Sequence, residues 1–380
     1  MNSPFLDIKN RNVELDILRA LAIVLIVVGH LTGFLEQGIL TKVLSFVEIP
    51  MLFLGLALFF SVSGFSLYLN NKVMKNYHDV VRFYKKRLVR IYPLYWIAVA
   101  VILIEYQQLS FTQSAVSLTP AQALITLIGA QVLLAPRFGA EPMLWFIGAI
   151  LILYLLYPLI IYYLDSNKKL FFTLSLIYIA FLSIRVLFNI IDTRFFIYYW
   201  VFIGGILACK YCRYAELLTK PQRRLILVCG GFVLVLIFLV QVAAFAVIYN
   251  KNLLLNNVVH LPAELWLNCG ALFAILLTVP LFLTVQLHTK QVGRKVYSFA
   301  FLLSFSSFCI YLFHGGILDD SKYIGANVLH LSGFLLNLMI IIVGLSLVFV
   351  IAFLIQFTYN SAIERAKKTS AACFKTGDRR

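Results

Sequence analysis

Long apolar runs separated by short polar clusters dominate this chain. Ten of them, at residues 15–36, 46–69, 91–106, 143–163, 170–190, 195–209, 225–249, 263–286, 297–318 and 333–358, have the length or near-length of a membrane crossing. A helix needs about 20 predominantly apolar residues to span a ~30 Å hydrocarbon slab, and it satisfies its backbone hydrogen bonds internally there. The pattern predicts an all-α integral membrane protein of about ten transmembrane helices. Its parts are an N-terminal segment (1–14), one membrane domain (15–358) and a basic tail (359–380).

Composition supports that class. Hydrophobic residues make up 62% and charged residues 13%, against about 25% charged in soluble domains. Mean hydropathy is +0.93. Phe and Tyr are abundant, and Tyr92, Tyr95 and Trp96 sit where an interfacial aromatic belt is expected. The first run is not read as a cleavable signal: Asp16 and Arg19 stand at its entry, and no clean small-x-small site leads into a soluble domain.

The net charge of +16 raises the question of nucleic acid, and its placement answers it. With the N-terminus inside and ten crossings, all but six of the 32 Lys and Arg fall on the cytoplasmic side. The exceptions are Lys42, Arg137, Arg185, Arg194, Lys251 and Lys322. This is a positive-inside bias, with both termini cytoplasmic and lipid rather than nucleic acid as the partner. The stretch PAQALITLIGAQVLLA (120–135) tests the count. Were it an eleventh crossing, the basic residues of the later loops and tail would move outside, so it is expected to be a re-entrant or interfacial outer helix.

Polar residues inside apolar runs are functional candidates by default. Arg19 and His30 occur in RALAIVLIVVGH with ten residues between them. Eleven helical steps of about 100° bring both to one face, about 16 Å apart along the axis. With Arg19 at one edge of the slab, His30 lies near its middle, where a neutral imidazole is expected. Neutral imidazole can take a proton from a hydroxyl or accept an acyl group. Interhelical hydrogen bonding is the ordinary alternative. Gly29 and Gly33 beside it are read as close helix packing, which would also open a slot for a thin substrate arm. Asp16, one turn before Arg19, is placed to pair with it.

A second constellation is the basic loop FYKKRLVRIYPLYW (83–96), with Lys85, Lys86, Arg87 and Arg90. Basic residues at a span end are ordinary topology signals. Paired guanidiniums are also phosphate clamps. Towards the outer side lie Arg185, Glu105, His260, Glu264 and His314, with Glu264 or Glu105 as a possible partner for Arg185. Trp145, Trp200 and Trp266 suit either interfacial anchoring or carbohydrate stacking. The six cysteines are scattered, and Cys209 and Cys212 lack a second pair or nearby His, so no metal site or disulfide framework is expected. No phosphate loop, dinucleotide fingerprint or nucleophile elbow is present.

The chain resembles the acyltransferase family 3 membrane proteins, which O-acylate cell-surface sugars and lipids. The resemblance is carried by ELDILRALAIVLIVVGH (14–30), LALFFSVSGFSLYL (56–69), FYKKRLVRIYPLYW (83–96), MLWFIGAILILYLLYPLI (143–160), FIYYWVFIGGILA (196–208) and SFSSFCIYLFHGGIL (304–318), in the family's order. It implies a ten-span bundle taking an acyl group, commonly acetyl, from cytoplasmic acyl-CoA as co-substrate, with no permanently bound cofactor. The acceptor it implies is a saccharide or lipid-linked glycan of a bacterial envelope, and the setting the cytoplasmic membrane. The family's R-x10-H maps onto Arg19 and His30, its R-x-x-R onto Arg87 and Arg90, its second-span motif onto Ser63 and Gly64, its tyrosine–histidine motif onto Tyr311 and His314, and its late acidic position onto Glu364. On this reading Arg19 and His30 are catalytic, Arg87, Arg90 and Lys86 hold the donor, and His314, Arg185 and Glu264 face the acceptor. Many members carry a glutamate where this chain has Ala149, Ile150 and Leu151, leaving Glu141 or Glu264 to supply a carboxylate. The alternative is a transporter or flippase of a saccharide or lipid intermediate, with His30 and Arg185 lining its path.

Overall fold

The computed structural model describes residues 12–108, 119–138, 144–164, 166–217, 221, 222, 225, 228 and 293–377. Among them there is no strand. The helices are α1 (Val13–Leu31), α2 (Ile39–Asn70), α3 (Tyr77–Gln108), α4 (Pro120–Ile128), α5 (Gln131–Phe138), α6 (Trp145–Tyr163), α7 (Asn167–Phe188), α8 (Thr193–Leu217), α9 (Arg294–Tyr323), α10 (Gly333–Met339) and α11 (Leu345–Gly377). π-helical turns at Ile324–Val328 and Ile340–Gly344 follow α9 and α10. Six helical segments among the described residues are long and apolar enough to cross a membrane: Met51–Asn70, Tyr77–Ile104, Trp145–Tyr163, Lys168–Phe188, Arg294–Val328 and Gly333–Thr369. The expected spans 225–249 and 263–286, with His260, Glu264 and Trp266, lie outside the described residues, as do Glu141 and the side chain of Glu105.

Three segments differ from expectation in form. The basic stretch 83–96, expected as a loop, is helical and belongs to α3. Its apolar residues explain this: Phe83, Ile91, Leu94 and Tyr95 are buried, while Lys85, Lys86 and Arg90 are exposed, so the run is one amphipathic helix. Pro93, inside α3, has no N–H for the carbonyl of Val89. The Tyr359 hydroxyl of α11 donates to that carbonyl instead. The stretch 120–135 is two short helices rather than one. Thr119 caps α4 with Pro120 in its first turn, and Gly129, at φ +75°, ends it in the left-handed region that glycine enters without penalty. The tail shows no break at residue 359, because α11 continues to Gly377.

Packing centres on α1 against α2 and α9, α2 against α8, and α9 against α11. The α2–α8 crossing depends on glycines: a Cβ at Gly64 would lie 2.2 Å from the Phe202 carbonyl oxygen, and one at Gly205 would lie 2.0 Å from that of Ser61. Small residues thus let two backbones touch, as in membrane helix pairs generally. In α9 61% of the apolar window is buried, against 11% in α7, so α9 is central and α7 presents its face outward. Tyr297 and Ser304 of α9 reach Asp16 of α1, and His314 reaches His30. Contacts that advance together along both chains mean that α1 and α9 run parallel.

Candidate active site

Asp16 and Arg19 lie on the first turns of α1, where Asn12 caps the helix by accepting from the Leu15 N–H at 3.1 Å. Asp16 is buried and accepts hydrogen bonds from Ser304 Oγ at 2.7 Å and Tyr297 Oη at 3.4 Å. Its carboxylate stands 3.8 Å from the Arg19 guanidinium, which donates to Ser66 Oγ of α2 at 2.5 Å. Three helices therefore fix the Arg19 side chain, and they hold it towards the start of α1, away from His30. Asp16→Ala would leave both Ser304 and Arg19 short of an acceptor in a buried setting. It is expected to destabilise the fold by about 1–3 kcal/mol, read as an earlier unfolding midpoint of the detergent-solubilised protein.

Arg19 opens onto a cavity of about 740 Å³ between α1, α2, α3, α6, α9 and α11, within the range of cofactor-sized clefts. Arg82, Lys85, Lys86, Arg87, Arg90 and Lys367 line it, and among the described residues no Asp or Glu does. Arg87 is the inner member of this group. Its guanidinium lies 5.5 Å from the centre of the Phe83 ring and 5.9 Å from that of Tyr154, and its Nε is buried without a hydrogen-bond partner among the described residues. Ser63, Ser66, Ser304 and Ser307 place hydroxyls further along the walls, with Phe59, Phe146, Ile150 and Phe308. The cavity thus combines a cluster of basic side chains with hydroxyl and apolar walls.

His30 and His314 do not line this cavity. They face each other, with ring centroids 5.1 Å apart and His314 Nε2 3.3 Å from His30 Nδ1. His314 Nδ1 lies 2.8 Å from the Tyr311 carbonyl oxygen and 3.2 Å from that of Ile310. Both partners are acceptors, so this nitrogen carries the proton and Nε2 of a neutral His314 carries a lone pair. His30 Nδ1 lies 3.0 Å from the Ile26 carbonyl oxygen, so it too is an N–H, shared between that oxygen and His314 Nε2. The remaining nitrogen, His30 Nε2, holds the free lone pair of the pair.

Phe146 joins the two regions. It lines the cavity and packs against Tyr311 at 5.0 Å between ring centroids, and Tyr311 lies 6.1 Å from His314. The aromatic cluster continues through Phe60 to Tyr198 and Trp145, over which the Arg194 guanidinium sits at 4.3 Å while bonded to Asp192.

The structure brings Arg87, Arg90, Lys86 and Arg19 onto one cavity, and His314 onto His30. Arg185 is not among them: its guanidinium donates to the Ile191 carbonyl at 2.5 Å, bracing the turn after α7, where Asn189 and Ile191 both have positive φ. Glu264 lies outside the described residues. Sequence reasoning missed Glu48, which accepts from Thr32 Oγ1 at 2.6 Å just beyond His30. Its only sequence signal was an acidic residue inside an apolar run.

Comparison with known proteins bears on the chemistry. Neither the curated proteins nor the solved structures contain a significant match to the chain. A family model described as an acyltransferase domain matches residues 12–357, which takes in the histidine pair and the cavity residues from Arg19 to Gln356. The chain is a membrane acyltransferase by descent and belongs to acyltransferase family 3.

Proposed function

We propose that this protein is an O-acyltransferase that moves an acyl group, in the first instance acetyl, from cytoplasmic acyl-CoA to a hydroxyl of an envelope saccharide or lipid-linked glycan. The observation that carries this reading is the basic cavity running from the Arg87 region to Arg19, with His30 further along the same face of α1. An anion with several phosphates and a long, thin arm fits that shape. The phosphates pair with Arg87, Arg90 and Lys86, and bidentate guanidinium contacts give them register. Arg19, locked by Asp16 and Ser66, orients the arm as it enters. Because His30 stands about 16 Å further along the helix axis, Arg19 acts on the donor and not on the reacting carbonyl.

The step itself uses the free nitrogen of the histidine pair. His30 Nε2 takes the proton of the acceptor hydroxyl as its oxygen bonds to the thioester carbonyl carbon. The tetrahedral intermediate collapses by breaking the C–S bond, and the CoA thiolate recovers the proton from His30. No proton or electron is gained overall. His314 keeps His30 in the tautomer with Nε2 bare, and its own lone pair steadies the imidazolium while it exists. It is therefore a positioning residue, in the way a buried partner orients the base of a catalytic triad. Direct transfer needs no hydrolysable acyl-enzyme, which favours the base role over a covalent acyl-histidine.

A ten-span arrangement in an envelope membrane, with both termini cytoplasmic, belongs to this reading. Parallel α1 and α9 agree with that scheme, in which the first and ninth spans point the same way.

The test is label transfer from [14C]acetyl-CoA to endogenous saccharide in membranes containing the protein. His314→Gln should slow it about tenfold or more while acetyl-CoA affinity stays within a factor of about two. Absence of acyl-CoA-dependent ester formation, with protein-dependent passage of unmodified saccharide, would favour the transporter reading.

A further inference from the structure

Glu48 lies level with His30 on the neighbouring helix. Its main-chain carbonyl oxygen packs against α1 at Gly29, where a Cβ would come within 3.3 Å of it. Its side chain reaches Thr32, two residues beyond His30, and Oε2 accepts the threonine hydroxyl at 2.6 Å. It stands three residues before the apolar stretch Met51–Asn70 and is half-buried. No cation forms an ion pair with it among the described residues. Gly29 and Thr32, the residues of α1 that it meets, flank His30 in the sequence. Its Thr32 contact lies beyond His30 along α1, on the side away from Arg19. In the reaction proposed above the donor comes from the Arg19 end of α1, which leaves the Glu48 and Thr32 end for the acceptor.

We propose that Glu48, held by Thr32, forms the acceptor subsite: its second carboxylate oxygen accepts a hydroxyl next to the one that His30 deprotonates. The acceptor class this selects is a vicinal diol of a sugar ring. One hydroxyl bonds to Glu48 Oε1 and its neighbour is presented to His30 Nε2. Fixed in this way, the reacting oxygen gains the proximity that turns an encounter into a positioned attack. The same negative charge disfavours acceptors with a carboxylate or phosphate beside the reacting hydroxyl, because two like charges at partly buried positions repel strongly. No bond to Glu48 forms or breaks in the reaction. The inference rests on the acyl-transfer reading above and adds to it the side of entry and the chemistry of the acceptor.

The experiment pairs two measurements on the full-length protein. The first is the ester-linked acyl content of envelope saccharide from cells expressing the wild type, Glu48→Gln, Glu48→Asp or Thr32→Val. The second is the affinity of each purified protein for acetyl-CoA. Glu48→Gln should lower ester content about tenfold or more. Thr32→Val should lower it several-fold, and Glu48→Asp should retain more than the glutamine variant. Acetyl-CoA affinity should stay within about twofold for all three. Full ester content in Glu48→Gln, attached at the same hydroxyl, would overturn the acceptor role. So would parallel losses of ester formation and donor affinity, which would make Glu48 a general structural support. Failure of the wild type itself to bind acetyl-CoA or form ester would instead remove the acyl-transfer reading. That result is distinct from either outcome at Glu48.

Discussion

His30→Ala is expected to reduce acyl transfer by about 10²–10⁴-fold, the contribution of a positioned general base, while the protein still inserts and purifies in normal amounts. The size of the effect follows from the arrangement of the pair. His30 Nδ1 is committed to the Ile26 carbonyl and His314 Nε2, so the general-base role falls to Nε2, and the His314 lone pair freed in the variant stands on the far side of the missing ring. The effect on folding is small because α1 is held elsewhere. Leu18, Ile23, Ile26 and Val27 are buried in the core, and Asp16 is bound from α9. Removing His30 also frees a lone pair on His314 rather than stranding a charge. Ester formation and the yield of detergent-extracted protein are the two readouts. A variant that inserts normally and retains transfer within about threefold would remove His30 from the chemistry.

Arg87→Ala is expected to raise the donor KM by about 10–100-fold with a smaller change in kcat, the loss of charge-assisted hydrogen bonds made to the bound donor. Among the cavity cations Arg87 is the one held between Phe83 and Tyr154, so its guanidinium is already positioned when the donor arrives. Lys86 and Arg90 are exposed and keep most of their freedom, so their alanine variants should cost several-fold at most. Arg87→Lys should recover only part of the loss, because an ammonium keeps the charge but not the planar fork or the ring contacts. Titration of acetyl-CoA binding gives the answer directly. Unchanged affinity in Arg87→Ala would reduce the basic cluster to a topology signal, and a terminal reporter fusion would show whether orientation had moved instead.

Local periodicity made part of this site legible in the sequence. Arg19 and His30 share a helical face because of their spacing, and Asp16 is placed one turn earlier by the same rule. Both relations hold within one helix. The pairing of His30 with His314 joins residues 284 positions apart, and only the approach of α1 to α9 decides it. The same is true of Ser304 on Asp16 and Ser66 on Arg19, where one hydroxyl among many is selected by packing. The basic stretch 83–96 hid its helix because charges at its exposed positions masked the buried stripe of Phe83, Ile91, Leu94 and Tyr95. The 120–135 stretch broke where Gly129 adopts positive φ, a turn that hydropathy alone does not reveal. Arg185, expected to seek a carboxylate, satisfies a backbone carbonyl in a turn. A guanidinium donor accepts either kind of partner, and spacing in the sequence does not say which.

In the proposed reaction an acyl group enters through the basic cavity and leaves, past the histidine pair, on a saccharide at the other face. Inside-out membrane vesicles test it, because they expose the cytoplasmic face to added [14C]acetyl-CoA. The predicted result is label in base-labile ester linkage on saccharide within the vesicle lumen, present with the wild type and lost with His30→Ala. Label that stays on CoA while unmodified saccharide crosses the membrane, in vesicles containing the wild-type protein, would contradict it.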